Sequence, residues 1–190
     1  MIKGLYDSFA KRWYRPGGTI WFYSDPHFSD EEMVHLRKNY IGDEEQVKAI
    51  NKKVGKNDTI IFLGDIGNVE WIKKIRGYKV LIMGNHDAGA SNYTDYFDEV
   101  YEGILMISEK LVLSHEPICF PYATNVHGHD HAGWSQWYLG VNVCAEHIDY
   151  TPVNIKDILN SGLLKKTQNI HREIIDEATD RKKKRGGRPL

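Results

Sequence analysis

Short apolar runs set off by polar turns organise most of the chain. The clearest is Thr19-Ile20-Trp21-Phe22-Tyr23-Ser24, directly after the turn cluster Arg15-Pro16-Gly17-Gly18, and others cover Thr59 to Leu63, Lys79 to Met83, Ile104 to Ile107 and Leu111 to Leu113. Each is bounded by Gly, Asn, Ser or charged residues, which predicts buried β-strands. Ser108-Glu109-Lys110 has the length of a hairpin turn, and Tyr138 to Cys144 is a further strand candidate.

Helices are predicted between and after these strands. Ser29-Asp30-Glu31-Glu32 has the form of a capping box, with the Ser29 hydroxyl and the Glu32 carboxylate meeting the free amides of a helix that runs to about Asn39. A second helix is expected over Asp43 to Val54, with shorter ones near Val69 to Ile75 and Tyr93 to Phe97. Asn154 and Asp157 start a short helix that Gly162 ends. Gln168 to Thr179 has helical character, but Arg181 to Arg188 is a basic run with nothing to bury and is expected to be a solvated tail. The predicted organisation is an extension over residues 1–18, a domain over 19–164 and a polar, basic tail over 165–190.

The length of 190 residues and 41% hydrophobic content suit one domain with a substantial core. A formal net charge of -1 gives no overall bias towards nucleic acid or membrane, so only the basic tail argues for a polyanionic partner. Cys119 and Cys144 have neither zinc-knuckle nor redox-pair spacing. With no apolar stretch of signal-peptide or membrane-spanning length, a cytoplasmic protein without a membrane partner is expected. Oligomeric state is not readable.

The chemistry lies in five polar signatures that follow apolar runs: Asp25-Pro26-His27, Gly64-Asp65, Gly84-Asn85-His86-Asp87, Ser114-His115 and His127-Gly128-His129-Asp130-His131. Loops beyond the carboxyl ends of strands converge, so groups distant in sequence can meet there. Residues two apart in an extended segment share a face, which would aim Asp25 with His27, and His129 with His131, into one pocket. Glycines at 64, 84 and 128 suit close backbone approach in a crowded cluster.

In this order the motifs resemble the calcineurin-like metallophosphoesterases, in particular small single-domain members from bacteria and phages; the resemblance spans residues 19 to about 160. It implies an α/β fold, a four-layer αββα sandwich in which two facing mixed β-sheets are flanked by helices. It also implies two divalent metal ions, one held by Asp25, His27 and His131, the other by Asn85, His115 and His129, with Asp65 bridging both. Carboxylate, amide and imidazole donors without thiolate suit Mn, Zn, Fe or Ni, and Mn is the working choice. Two dications less the charges of Asp25 and Asp65 leave a cationic pocket, in which a bridging hydroxide would attack a phosphoryl group in line.

By the same resemblance His86 faces the substrate and acts as general acid. Phosphatase branches read Gly-Asp-x-x-Asp-Arg after the bridging aspartate, whereas this chain has Gly64-Asp65-Ile66-Gly67-Asn68-Val69. An amide at Asn68 and an aliphatic at Val69 turn the expectation from protein phosphatase towards a small phosphodiester or cyclic nucleotide. A phosphomonoesterase or a nuclease would use the same site. A non-catalytic scaffold would require lost ligands or a lost His86, and the set is complete.

His35, His147 and His171 are expected to be structural or simply exposed. His127 divides evenly between structure and orienting a ligand. Asp87 and Asp130 could partner neighbouring imidazoles or serve as turn carboxylates, and Asn68 takes the place beside His86. For the aromatics Trp134, Trp137 and Tyr138, packing is the expected role, ahead of stacking on a nucleobase.

Overall fold

The computed structural model describes residues 5–37, 39–134, 139–168 and 170–184. Four parallel strands build most of the first sheet: β1 (Ile20–Tyr23), β2 (Thr59–Phe62), β3 (Tyr78–Ile82) and β4 (Glu99–Tyr101). The second sheet takes β5 (Leu105–Ser108), β6 (Leu111–Leu113), β7 (Thr124–His127) and β8 (Gly140–Asn142). The last strand, β9 (Val153–Asn154), returns antiparallel to β1, giving the orders β4-β3-β2-β1-β9 and β5-β6-β7-β8. Both sheets are mixed, since β5 and β6 form an antiparallel hairpin while β6, β7 and β8 are parallel.

Alternation along the strands explains why the sheets pack as two layers. Ile20 and Phe22, Ile61 and Leu63, and Val80 and Ile82 turn inward to meet Ile107, Leu111, Leu113 and Val126 of the second sheet. Tyr23, Ile60, Phe62 and Leu81 turn outward and pack under Val47 and Ile50 of a flanking helix. The architecture is the expected two-sheet α/β sandwich with flanking helices.

The helices are α1 (Asp7–Trp13), α2 (Glu31–Leu36), α3 (Asp43–Lys53), α4 (Ile155–Asn160), α5 (Leu163–Lys166) and α6 (Ile170–Lys184). The described part of the N-terminal extension packs on the domain. Phe9 and Trp13 of α1 join the inner core, and the Trp13 indole donates to Glu99 at 3.0 Å. The expected Ser29 cap is displaced by one residue: Asp30 accepts from the Glu32 amide, while the Ser29 amide and hydroxyl both donate to Asp43 at the start of α3. With its backbone drawn to Asp43, Ser29 cannot serve α2.

Tyr93 to Phe97 is a hydrogen-bonded turn rather than a helix, because its aromatic rings anchor in the core beneath β3 and β4. The basic run is helical as far as Lys184; residues 185–190, Trp137, Tyr138 and the side chain of His171 lie outside the described residues. Trp134 is 80% exposed, so it does not pack as expected. Among the described residues no helix is long and apolar enough to cross a membrane.

Candidate metal centre

All five signatures start at the carboxyl end of a strand: β1 leads to Asp25 and His27, β2 to Asp65, β3 to Asn85, β6 to His115, and β7 to His129 and His131. Direct backbone bonds tie these ends together. The Asp25 amide donates to the Gly64 carbonyl at 3.1 Å and the Gly128 amide to the His115 carbonyl at 2.9 Å, while Ser24 bridges to Cys144 between the sheets. Two glycines permit the approach. A Cβ on Gly128 would lie 1.9 Å from Ser24 Oγ and 2.2 Å from Asp25 Oδ2, and one on Gly84 would lie 2.2 Å from Asp65 Oδ1.

Seven side chains meet there in two overlapping groups. In the first, His27 Nε2 is 3.6 Å from Asp65 Oδ2 and 4.0 Å from Asp25 Oδ1, and His131 Nε2 is 3.5 Å from Asp25 Oδ1. In the second, His115 Nε2 is 2.8 Å from Asn85 Oδ1, 3.1 Å from His129 Nδ1 and 3.4 Å from the same Asp65 Oδ2. The His129 Nδ1 to Asn85 Oδ1 distance is 3.0 Å.

These separations fit two ions that share Asp65. Donors about 2.1 Å from a common ion stand roughly 3.0–3.4 Å apart in tetrahedral or octahedral arrangements. The second group already has that spacing and the first is slightly wider. Asp25 Oδ1 and His27 Nε2 are buried without a hydrogen-bond partner and point into the first group, which is what a cation site requires. Asp25, His27, Asp65 and His129 all have positive φ, between 45° and 64°. The expectation of extended backbone with side chains two apart is therefore wrong: left-handed turns, not pleating, aim Asp25 and His27 together, and such strained conformations persist where surrounding structure enforces them.

Behind the donors the remote imidazole nitrogens are held. His27 Nδ1 is 3.2 Å from Asp30, His115 Nδ1 is 2.7 Å from the Leu63 carbonyl, and His131 Nδ1 bonds to Glu146. Glu146 is ion-paired at 3.5 Å with the buried Arg37, whose guanidinium also donates to the Asp25 carbonyl at 2.7 Å. Such contacts fix the tautomer and turn the other nitrogen towards an ion. Burial works against the charged form of His131, but the Glu146 bond and the Asp25 charge outweigh it and raise the pKa. Burial dominates at His27 and lowers its pKa. The Cys144 thiol donates to Asp25 Oδ2 at 3.2 Å, and burial pushes its pKa well up.

Asp30, Arg37, Glu146 and Cys144 lie outside the five signatures, and nothing in the sequence pointed to them as supports of the site. Asp87 does not partner an imidazole. Its carboxylate accepts from the amides of Asp65, Ile66 and Gly84 and from the Tyr93 hydroxyl, locking two of the site loops together. Asn68 accepts from the Glu70 amide and donates to Ser29, capping a 3-10 turn over Val69–Lys74. Asp130 accepts from the Trp134 amide, and its charge also acts on the His127 imidazole. His127 is buried in the loop before His129, with Nδ1 2.9 Å from the Gly128 carbonyl. The His86 ring is exposed, 5.7 Å between centroids from His27, and its amide donates to Asp65 Oδ1.

Residues 18–173 match the calcineurin-like phosphoesterase family. The chain belongs to that family. Membership supports metal-dependent phosphoester hydrolysis, and the two donor groups agree with it. The Gene 66 protein of Mycobacterium phage L5 is 37% identical over 83 residues, 36% of this chain and 40% of that protein, so the match spans less than half of the phage protein. A solved protein of unknown function from Aquifex aeolicus is 25% identical, with a TM-score of 0.63, over 75% of this chain and 98% of its own. The nuclease MPE of Pseudomonas putida gives a TM-score of 0.45 at 22% identity, over 59% of this chain and 61% of that one.

Proposed function

We propose that the protein is a dimetal phosphodiesterase acting on a small diester or cyclic nucleotide. The observation that carries the reading is the sharing of Asp65 Oδ2 by two groups of otherwise separate donors. Asp25, His27 and His131 would hold one divalent ion and Asn85, His115 and His129 the other, with manganese as the working choice. When bound, such a pair supplies an acidified water as nucleophile and positive charge for the phosphoryl oxygens.

The chain's own contribution is geometry and one proton. Asp30, Glu146 and the Leu63 carbonyl hold three imidazoles in the tautomer that presents the free nitrogen to an ion. Asp87 keeps the Asp65 and Asn85 loops in register. His86, exposed beside His27 and tethered through its amide to Asp65, would give a proton to the departing oxygen. Asn68 and Val69 offer no guanidinium and no carboxylate at the places where phosphatase branches carry them, which favours diesters over phosphoproteins.

The test is a substrate panel with manganese: bis-para-nitrophenyl phosphate, para-nitrophenyl phosphate, cyclic nucleotides and single-stranded DNA. Diester turnover that His86→Ala lowers by about 10²–10⁴-fold is expected. Activity on monoesters alone would overturn the diester preference. No turnover of any of them with two metals bound per chain would leave the scaffold reading.

A further inference from the structure

A cavity of about 220 Å³ opens beside the second donor group, lined by Asn85 and His115 on one side and by Met83, Ile104, Ile118 and Glu116 on the other. Its position follows from the fold. Met83 continues β3 towards Asn85, Ile104 leads into β5, and Ile118 is anchored by its amide to Asn125 of β7 at 2.9 Å. Because Asn85 and His115 belong both to the donor group and to the cavity wall, a phosphoryl group held at the former would lie next to the latter.

The lining says what that substituent can be. Three aliphatic or thioether side chains favour an uncharged group, and Ile104 is 62% exposed, so a large apolar surface stands in water at the rim of a polar centre. The lining contains a carboxylate, Glu116, and no Lys or Arg. A second phosphate would therefore be repelled, whereas N–H donors of a ring would find an acceptor. The volume lies below the roughly 300–1,000 Å³ of sites that enclose whole drug-sized ligands, and suits one ring system.

We propose that this cavity is the subsite for the base of a nucleoside phosphodiester, set beside the second donor group. It rests on the hydrolytic reading above and adds the substrate class to it.

The experiment compares the para-nitrophenyl ester of thymidine 5′-monophosphate with methyl para-nitrophenyl phosphate on the manganese-loaded protein. The leaving group is the same, so the ratio of kcat/KM values reads the nucleoside, sugar and base together, against a methyl group, and the Ile104→Asp variant reads the part of it that the cavity supplies. The nucleotide ester is expected to be preferred by about tenfold or more, and Ile104→Asp, at an exposed position, to reduce that ratio by about tenfold. A wild-type ratio near one, or a ratio unaltered by Ile104→Asp, overturns the subsite even while both esters are cleaved. If neither ester is cleaved, the hydrolytic reading itself fails, and calorimetric titration decides the subsite: thymidine 5′-monophosphate binding more tightly than methyl phosphate, with the difference lost in Ile104→Asp, supports it, and equal binding of the two overturns it.

Discussion

The two donor groups share one carboxylate oxygen yet are built differently. Around Asp25, His27 and His131 the supporting atoms are charged or ionisable side chains: Asp30, Glu146 backed by Arg37, and Cys144. Around Asn85, His115 and His129 the described support for a ring is a main-chain carbonyl, Leu63, and Asn85 itself is exposed. The first group is assembled by tertiary contacts reaching across α2, β1 and the turn after β8; the second is assembled by strand ends. A side-chain support can be removed by mutation without touching a donor, whereas a carbonyl support cannot, so the comparison can be probed from one side at a time.

The largest effect is expected at the shared atom. Asp65→Ala should reduce metal content below two ions per chain and activity to background; retention of both ions, measured by elemental analysis, would mean that the two groups do not share an edge. Next comes Asp87→Ala, which strands three backbone amides and the Tyr93 hydroxyl. A stability loss of about 2–4 kcal/mol in chemical denaturation is expected, and an unchanged midpoint would remove Asp87 as the lock between the loops. Glu146→Gln tests the asymmetry directly: affinity for one of the two ions should fall about 10–100-fold in metal titrations while the other is retained. Equal weakening of both would show the supports to be interchangeable.

The pH response sharpens the same contrast. Burial alone would lower the pKa of His115, but its bond to Asp65 and the charges of Asp25 and Asp65 outweigh burial, so it is pushed up to about 9 from an ordinary 6.5. After chelation, the stabilisation from protonated His115 is therefore full below about pH 6.5 and fades as the pH rises through about 9. Metal uptake must displace that proton and should tighten over the same interval. Melting of chelated protein and manganese titration between pH 6.5 and 9.5 should move in opposite senses; parallel behaviour would break the assignment. The smallest effect is expected from truncation after Asp180. Its removal of a basic segment should leave turnover of every substrate unaltered, and a loss confined to single-stranded DNA would make the tail a binding element.

Legibility in the sequence followed the same divide. The second group could be read almost whole, because Asn85, His115 and His129 sit in motifs immediately after apolar runs. The first could be read only for its donors. Glu146 and Arg37 carry no motif, and Asp30 passed as part of a capping box because a carboxylate near a helix start has a local explanation that is also correct: one oxygen caps α2 while the other meets His27. Trp13 escaped notice for a similar reason, since a seven-residue helix preceding a glycine turn has too few positions to show which face is buried.

Strand existence was equally uneven. β2, β3 and β6 were evident from apolar runs, whereas β4, Glu99–Tyr101, and β7, Thr124–His127, mix polar residues into positions that the sheets bury or pair. Period-two patterning cannot reveal a strand whose polar side chains find partners inside the fold, as Glu99 does with Trp13 and Tyr78.

What the amino-acid order fixed by itself is the inventory and the approximate meeting place: seven donors, each within four residues of the end of a strand, because a short apolar run and its polar stop are local properties. What only the tertiary structure decided is aim. Left-handed turns at Asp25, His27, Asp65 and His129, the close approach of Gly128 to Ser24, and the pairing of buried Arg37 with Glu146 behind His131 all depend on contacts between segments dozens of residues apart, and no local pattern encodes them.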